Sequence, residues 1–189
     1  MSVVGSLPCI SAQQPFVRCK IERSIALTAK FMSEQKEILA PLDFCLLLLR
    51  IFAAFLMIHH GLEKLQDPEG FTSFIVDQYF PFLPFKHVLW TYLASYTQLV
   101  GSVAIVLGIA ARPALIGLSF TMVFALAFHG LDTGLQGFPF AVVEAHNYEY
   151  ETSALNLVIF VVLAITGAGA LSVSQLYRNV LPEWIQPWV

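Results

Sequence analysis

The sequence predicts an all-α membrane protein, an antiparallel bundle of four transmembrane helices with two longer loops on the side opposite the termini. Its 189 residues are 57% hydrophobic and only 12% charged, about half the charged fraction of a soluble domain. The mean hydropathy is +0.71. Charges this sparse cannot cover a globule, so the apolar excess is expected to face lipid. Four apolar stretches also have about the 20 residues that a membrane-crossing helix needs.

The four predicted spans cover approximately residues 42–62, 88–110, 113–131 and 151–171. Because lipid offers no hydrogen-bond partners to the backbone, each span must be a helix. The break between the second and third spans is so short that only a tight turn fits, with Pro113 expected at the first helical position. The other two connections, 63–87 and 132–150, are rich in Phe, Pro and Gly and are interpreted as loops or interfacial segments.

The domain organisation follows from these spans. We predict an N-terminal tail over 1–40, a membrane domain over 41–175 and a C-terminal tail over 176–189. The first 21 residues contain no acidic side chain and include Val17-Arg18-Cys19-Lys20, which is typical of an organellar transit peptide. If this tail is retained, it is interpreted as a docking segment. A plastid thylakoid is the favoured location, and the mitochondrial inner membrane is the alternative.

Positive charges predict the orientation. With four alternating helices, one side of the membrane carries most of the lysines and arginines, namely Arg18, Lys20, Arg23, Lys30, Lys36, Arg112 and Arg178. The positive-inside rule then places both termini on the stromal or matrix side. The net charge of −3 indicates no nucleic-acid partner. The expected partners are the lipid bilayer and other membrane protein subunits.

The opposite side carries the histidines, which are His59, His60, His87, His129 and His146. One interpretation is that imidazoles simply tolerate the membrane interface; the other is that this end of the bundle forms a polar site. An internal repeat supports the second. Both His60-Gly61-Leu62-Glu63 and His129-Gly130-Leu131-Asp132 end a span, so a parallel arrangement of two helix pairs places both histidines at one depth. The adjacent glycines would let neighbouring helices approach closely.

An arginine inside the first span needs a partner. Arg50 lies about 12 Å from the histidine end at 1.5 Å per residue, where an unpaired charge costs about 3 kcal/mol or more. Gln98 of the second span lies near the same level, and Asp43 is a candidate carboxylate, as are a partner subunit and a lipid phosphate. Two alternatives follow: Arg50 clamps backbone carbonyls between helices, or it holds an anionic or quinone-like ligand.

No metal site is predicted. The three cysteines, Cys9, Cys19 and Cys45, lack zinc-ligand spacing. The adjacent His59 and His60 point about 100° apart on a helix, so they cannot both face one ion.

Several of these motifs together resemble the DoxX family of small four-helix membrane proteins, which includes the DoxD-like subunit of thiosulfate:quinone oxidoreductase. The resemblance extends over residues 46–174. It depends on Arg50 after a run of leucines, on His60-Gly61-x-x-Lys64 and on Leu107-Gly108-x-x-x-Arg112. One departure concerns Gln98, because the family usually has a glutamate there. That glutamate would be the expected partner of Arg50 within the membrane.

Three function classes remain open. The first is an accessory subunit of a larger electron-transfer assembly, such as a photosystem or respiratory complex, since no nucleophile–base pair or cofactor loop is evident. The second is a quinone-linked oxidoreductase subunit, and the third is a small transporter; whether the protein is an enzyme stays open. A quinone is the preferred cofactor over chlorophyll. The candidate catalytic residues are His60, His129 and Glu151, and the candidate ligand-binding residues are Arg50, Gln98, His60, His129, Phe55 and Phe124.

Overall fold

The computed structural model describes the backbone of residues 14–138, 140, 142–143 and 148–188, and side chains from residue 39 onward apart from Pro187. The start of the transit-peptide-like segment, up to residue 13, and the predicted site residue His146 lie outside this range. All regular elements in it are helical, as predicted. The chain comprises two compact units, Met1–Leu42 and Asp43–Val189.

The helices follow in chain order. Long helices are α1 (Gln14–Gln66), α4 (His87–Leu107), α5 (Ala111–Asp132) and α6 (Glu151–Thr166). Between α1 and α4 lie α2 (Pro68–Phe71), a π-helix (Thr72–Val76) and α3 (Asp77–Tyr79). The C-terminal segment contains α7 (Ser174–Tyr177) and two 3₁₀ turns (Arg178–Val180 and Gln186–Trp188).

In the described part of the chain, three helices are long and apolar enough to cross a membrane: Leu39–Gln66, His87–Leu107 and Ala111–Asp132. The fourth apolar helix, α6, has 16 residues and ends five positions before the predicted residue 171. Gly167 ends it because its backbone, at φ 82° and ψ −174°, leaves the helical region, while its N–H still bonds the Leu163 carbonyl. A glycine adopts this conformation without the steric penalty of a side chain.

The turn between α4 and α5 is as short as predicted. Gly108 adopts a left-handed conformation with φ 67° and caps α4 through hydrogen bonds to the carbonyls of Ala104 and Ile105. The prediction that Pro113 opens the next helix was wrong, because α5 begins at Ala111 and Pro113 is its third residue. A proline is accepted there, since the first-turn N–H groups have no intrahelical acceptor.

The first long connection is mainly helical rather than a loop. Asp67 caps α2 by accepting a hydrogen bond of 2.9 Å from the Gly70 N–H. The hydroxyls of Thr72 and Thr91 form a buried hydrogen bond of 2.7 Å, which fixes the π-helix to α4. The Tyr79 hydroxyl donates to Asp132 Oδ1 at the end of α5. The roof segment, defined as residues 68–83, is therefore held against both α4 and α5.

The core of the second unit lies between α1, α4, α5 and α6, and α5 packs against both α4 and α6. It includes Leu46, Ala53, Ala54, Met57, Ile105, Leu115, Leu118, Phe160 and Leu163. A Cβ on Gly61 would approach Leu99 within 2.9 Å, so this glycine permits close packing as expected. Gly130 does not permit closer packing among the described residues, because none of them lies within 4 Å of its Cβ position. Many large apolar side chains face outward, which suits lipid contact.

Candidate functional site

Arg50 binds backbone carbonyls. Its side chain is fully buried, and Nη1 donates to the Ile105 carbonyl at 3.2 Å while Nη2 donates to the Leu171 carbonyl at 2.6 Å. Arg50 therefore joins α1 to the end of α4 and to the segment that follows α6. The sequence left two alternatives for Arg50, a clamp on backbone carbonyls or a ligand-binding role, and these hydrogen bonds are those of the clamp.

Asp43, one of the candidate carboxylates for Arg50, contacts the same post-α6 segment. Its Oδ1 accepts a hydrogen bond of 2.8 Å from the Ala170 N–H. Gly169 makes this approach possible, because a Cβ there would lie 2.7 Å from that carboxylate oxygen. One face of α1 thus anchors residues 169–171 at two points.

A cavity of about 620 Å³ lies toward the other end of the helices. The end of α1, the first half of α4, the second half of α5 and the start of α6 contribute to its wall, and the roof segment covers it. Its volume is in the range of small-molecule sites, which are mainly apolar with a few placed polar groups. The aromatic part of the lining consists of Phe71, Phe80, Trp90, Phe120, Phe124 and Phe128.

Both histidines of the internal repeat line this cavity. His60 Nδ1 lies 3.6 Å from Glu63 Oε2, and His129 Nδ1 lies 3.8 Å from Glu149 Oε2. The Lys64 ammonium donates to the His60 carbonyl at 3.1 Å and lies 5.0 Å from the centre of the Phe71 ring. The structure therefore brings the two imidazoles to one cavity, with charged groups beside them.

Two amides at the cavity have unpartnered oxygens. Gln98 is 2% exposed and Asn156 is 1% exposed, and both line the cavity. Neither Gln98 Oε1 nor Asn156 Oδ1 has a hydrogen-bond partner among the residues described, and the same holds for His129 Nδ1. Since nearly all buried polar atoms in proteins are satisfied, the two unpartnered amide oxygens at one cavity indicate a place for a ligand.

The roof contacts α5 through aromatic rings. Tyr79 packs edge-to-face on Phe128 with 5.1 Å between ring centres, and Phe80 packs in the same way on Phe124 at 5.3 Å. The hydrogen bond to Asp132 raises the pKa of the Tyr79 hydroxyl above its ordinary value, because the carboxylate favours the protonated phenol. Tyr79 therefore stays a neutral donor across the physiological range.

The structure does not bring together all the predicted site residues. His60, Gln98, Phe124 and His129 line the cavity, whereas Arg50, Phe55 and Glu151 are not among the lining residues. Phe55 is 70% exposed on the outer face of α1. The expected contact between Gln98 and Arg50 is wrong, because both hydrogen bonds of Arg50 go to backbone carbonyls.

The family comparison covers most of this arrangement. Residues 45–130 match the DoxX family model. The predicted resemblance is thereby confirmed for the part of α1 from Cys45 onward, for the roof segment, for α4 and for nearly all of α5. Comparison with curated proteins and with solved structures gives no significant match.

The DoxX match ends before α6, and among the cavity residues of that helix Asn156 was not predicted from the sequence. Asn156 stands alone among apolar residues in Ala154-Leu155-Asn156-Leu157-Val158. A polar side chain within an apolar span usually marks a functional position. That signal was available for Asn156 just as it was for Gln98.

Within the described ranges, no group of three or more His, Cys, Asp or Glu side chains is placed to hold a metal ion.

Gln98 offers a direct test of the unpartnered amide. We expect Gln98→Leu to raise the stability of the ligand-free protein by about 1 kcal/mol, because it removes a buried polar group that has no partner. Thermal unfolding in mild detergent measures this. Ser102→Ala is the control in α4, since its hydroxyl bonds the Gln98 carbonyl at 2.5 Å and its loss should not stabilise. A Gln98→Leu variant less stable than the wild type would show that the amide is satisfied.

Proposed function

We propose that this protein is a quinone-linked membrane subunit of the DoxX type and that the cavity binds the quinone ring. The observation that carries the proposal is the cavity itself, in which both repeat histidines and an aromatic lining meet unpartnered buried amides. A quinone head is a flat ring with two acceptor oxygens. The imidazoles and the Lys64 ammonium are donors of the kind such oxygens need, so the residues present fit the group.

The proposal includes a fourth span formed by α6. At 1.5 Å per residue, its 16 residues extend about 24 Å, somewhat less than the hydrocarbon core, and a short span is accommodated by local thinning of the bilayer. One face of α6 is buried through Asn156, Phe160 and Leu163. The other exposes apolar side chains suited to lipid, namely Leu155, Val158, Val161, Val162 and Ile165.

The setting is proposed from charge and composition. The positive-inside rule favours the stromal or matrix side for both termini. The acid-free first 21 residues support an organelle, and among organelles we favour the thylakoid membrane. An electron-transfer assembly is the natural surrounding for a subunit of this kind.

The chain's own residues would bind the ring, orient it and exchange protons. A bound quinone supplies two-electron redox chemistry. His60 and His129 are suited to hydrogen-bond its oxygens and to exchange protons with them. The Glu63 carboxylate lies 3.6 Å from the His60 ring, and the Glu149 carboxylate lies 3.8 Å from the His129 ring. Both carboxylates are exposed, so each one connects its imidazole to water.

A binding experiment tests this function. We expect His129→Leu to weaken the binding of a short-chain benzoquinone at least tenfold in lipid nanodiscs, because an oxygen of the ring loses its donor. Quenching of the fluorescence of Trp90, a cavity residue, reports binding. For this measurement Trp184 and Trp188 are changed to phenylalanine, so that Trp90 is the only tryptophan. Both of these are exposed. His59→Leu is the matched control, since His59 is an exposed histidine that does not line the cavity.

Equal affinity of the His129→Leu and His59→Leu variants would contradict the role of His129. Absence of saturable quenching in the wild type would contradict quinone binding. It would favour the other interpretation, in which the protein is a non-catalytic accessory subunit.

A further inference from the structure

The amide of Asn156 has a fixed orientation. Its Nδ2 donates to the Thr152 carbonyl at 2.9 Å, and a carbonyl can only accept, so the amide nitrogen must face that oxygen. The atom left unpartnered is therefore the acceptor Oδ1. A ligand that satisfies Asn156 must bring a hydrogen-bond donor.

The surroundings of this acceptor favour an aromatic donor. Aromatic rings attract each other in edge-to-face arrangements beyond simple area burial, and six aromatic side chains line the cavity. The cavity also contains hydroxyl groups that are already partnered. The Thr121 hydroxyl, for example, donates to the Leu118 carbonyl at 2.7 Å. An added donor thus has an acceptor of fixed orientation at Asn156, and Gln98 of α4 is a second unpartnered oxygen among the described residues that line the cavity.

We propose that the cavity selects a phenolic head group, with the ligand hydroxyl donating to Asn156 Oδ1. A hydroquinone is the redox-active member of this class. The inference rests on the proposed function and deepens it, since it states that the reduced, hydroxyl-bearing form is bound in preference to a head group that can only accept.

A pair of redox-inert probes tests the selection. The first is a ring-brominated 4-alkylphenol and the second is its methyl ether with the same alkyl chain. Bromine quenches tryptophan on contact, so the chain with Trp90 as its sole tryptophan, in nanodiscs, reports occupancy. The methyl ether enters lipid more readily than the phenol, so non-specific partitioning acts against the expected result.

We expect the phenol to bind about tenfold more tightly than its ether, because only the phenol satisfies the buried acceptor. In Asn156→Leu the ratio should fall to about one. Thr121→Val is the matched control, since it removes a cavity hydroxyl that already has a partner, and it should keep the preference.

Each outcome decides between the two proposals. Equal binding of both probes, or tighter binding of the ether, overturns the selection while leaving quinone binding intact. No saturable quenching by either probe, together with none by the benzoquinone, overturns both. If Asn156→Leu does not fold, the ratio in the unsubstituted protein still gives the answer, and a retained tenfold preference in a folded Asn156→Leu assigns the donor contact elsewhere and overturns the role of Asn156.

Discussion

Substitution of Arg50 by methionine is expected to lower the free energy of unfolding by about 3 kcal/mol. Methionine fills a similar volume but donates no hydrogen bond, so the carbonyls of Ile105 and Leu171 lose the guanidinium that now binds them. Each hydrogen bond from a charged donor contributes about 1.5–3 kcal/mol, and the relief from burying a charge offsets part of the total. Denaturant titration of the purified protein in detergent measures the change.

Arg50→Lys serves as the control for charge. A lysine keeps the positive charge, but its single ammonium cannot reproduce the planar fork that reaches two carbonyls at once. We therefore expect an intermediate loss. If Arg50→Met were as stable as the wild type, the two carbonyl contacts would contribute nothing and the clamp would be wrong.

Gly108→Ala is expected to destabilise the protein by a similar amount, about 3 kcal/mol. Gly108 has φ 67°, and a Cβ at this position would lie 2.4 Å from Ser172 Cβ and 2.7 Å from Arg50 Nη1. The left-handed backbone and the clash both oppose a side chain. The same unfolding titration checks the value.

Gly134→Ala separates the two causes. Gly134 has nearly the same backbone angle, φ 68°, but no atom of the described part of the chain lies within 4 Å of its Cβ position. Its substitution should therefore cost only the conformational part, about 1 kcal/mol. The difference between the two variants measures how tightly the turn after α4 packs on Arg50 and Ser172. Equal losses would contradict the close packing.

Much of the fold was predictable because lipid constrains a chain strongly. A long apolar stretch in a bilayer must be helical, so the three long spans and the tight turn before α5 follow from composition and length. The approach of His60 and His129 to one cavity was predictable for a similar reason, since alternating helices fix which ends meet. The resemblance to the DoxX family could also be predicted, because Arg50, His60 and Arg112 occur in the order that its motifs have.

The partners of buried polar side chains depend on tertiary structure. Sequence spacing placed Gln98 near Arg50. Backbone carbonyls accept hydrogen bonds from a guanidinium equally well, and every residue has one, so the side-chain pattern does not predict which carbonyls Arg50 binds. The glycines after α6 bend the backbone so that the Leu171 carbonyl reaches Arg50. The same packing leaves Asn156 facing a cavity and Phe55 facing outward. The sequence by itself determined the long apolar helices and the end at which the two histidines meet, since lipid restricts the backbone to helices. Only the packed structure decided which polar atoms are paired and which stay available to a ligand, since pairing depends on three-dimensional distance.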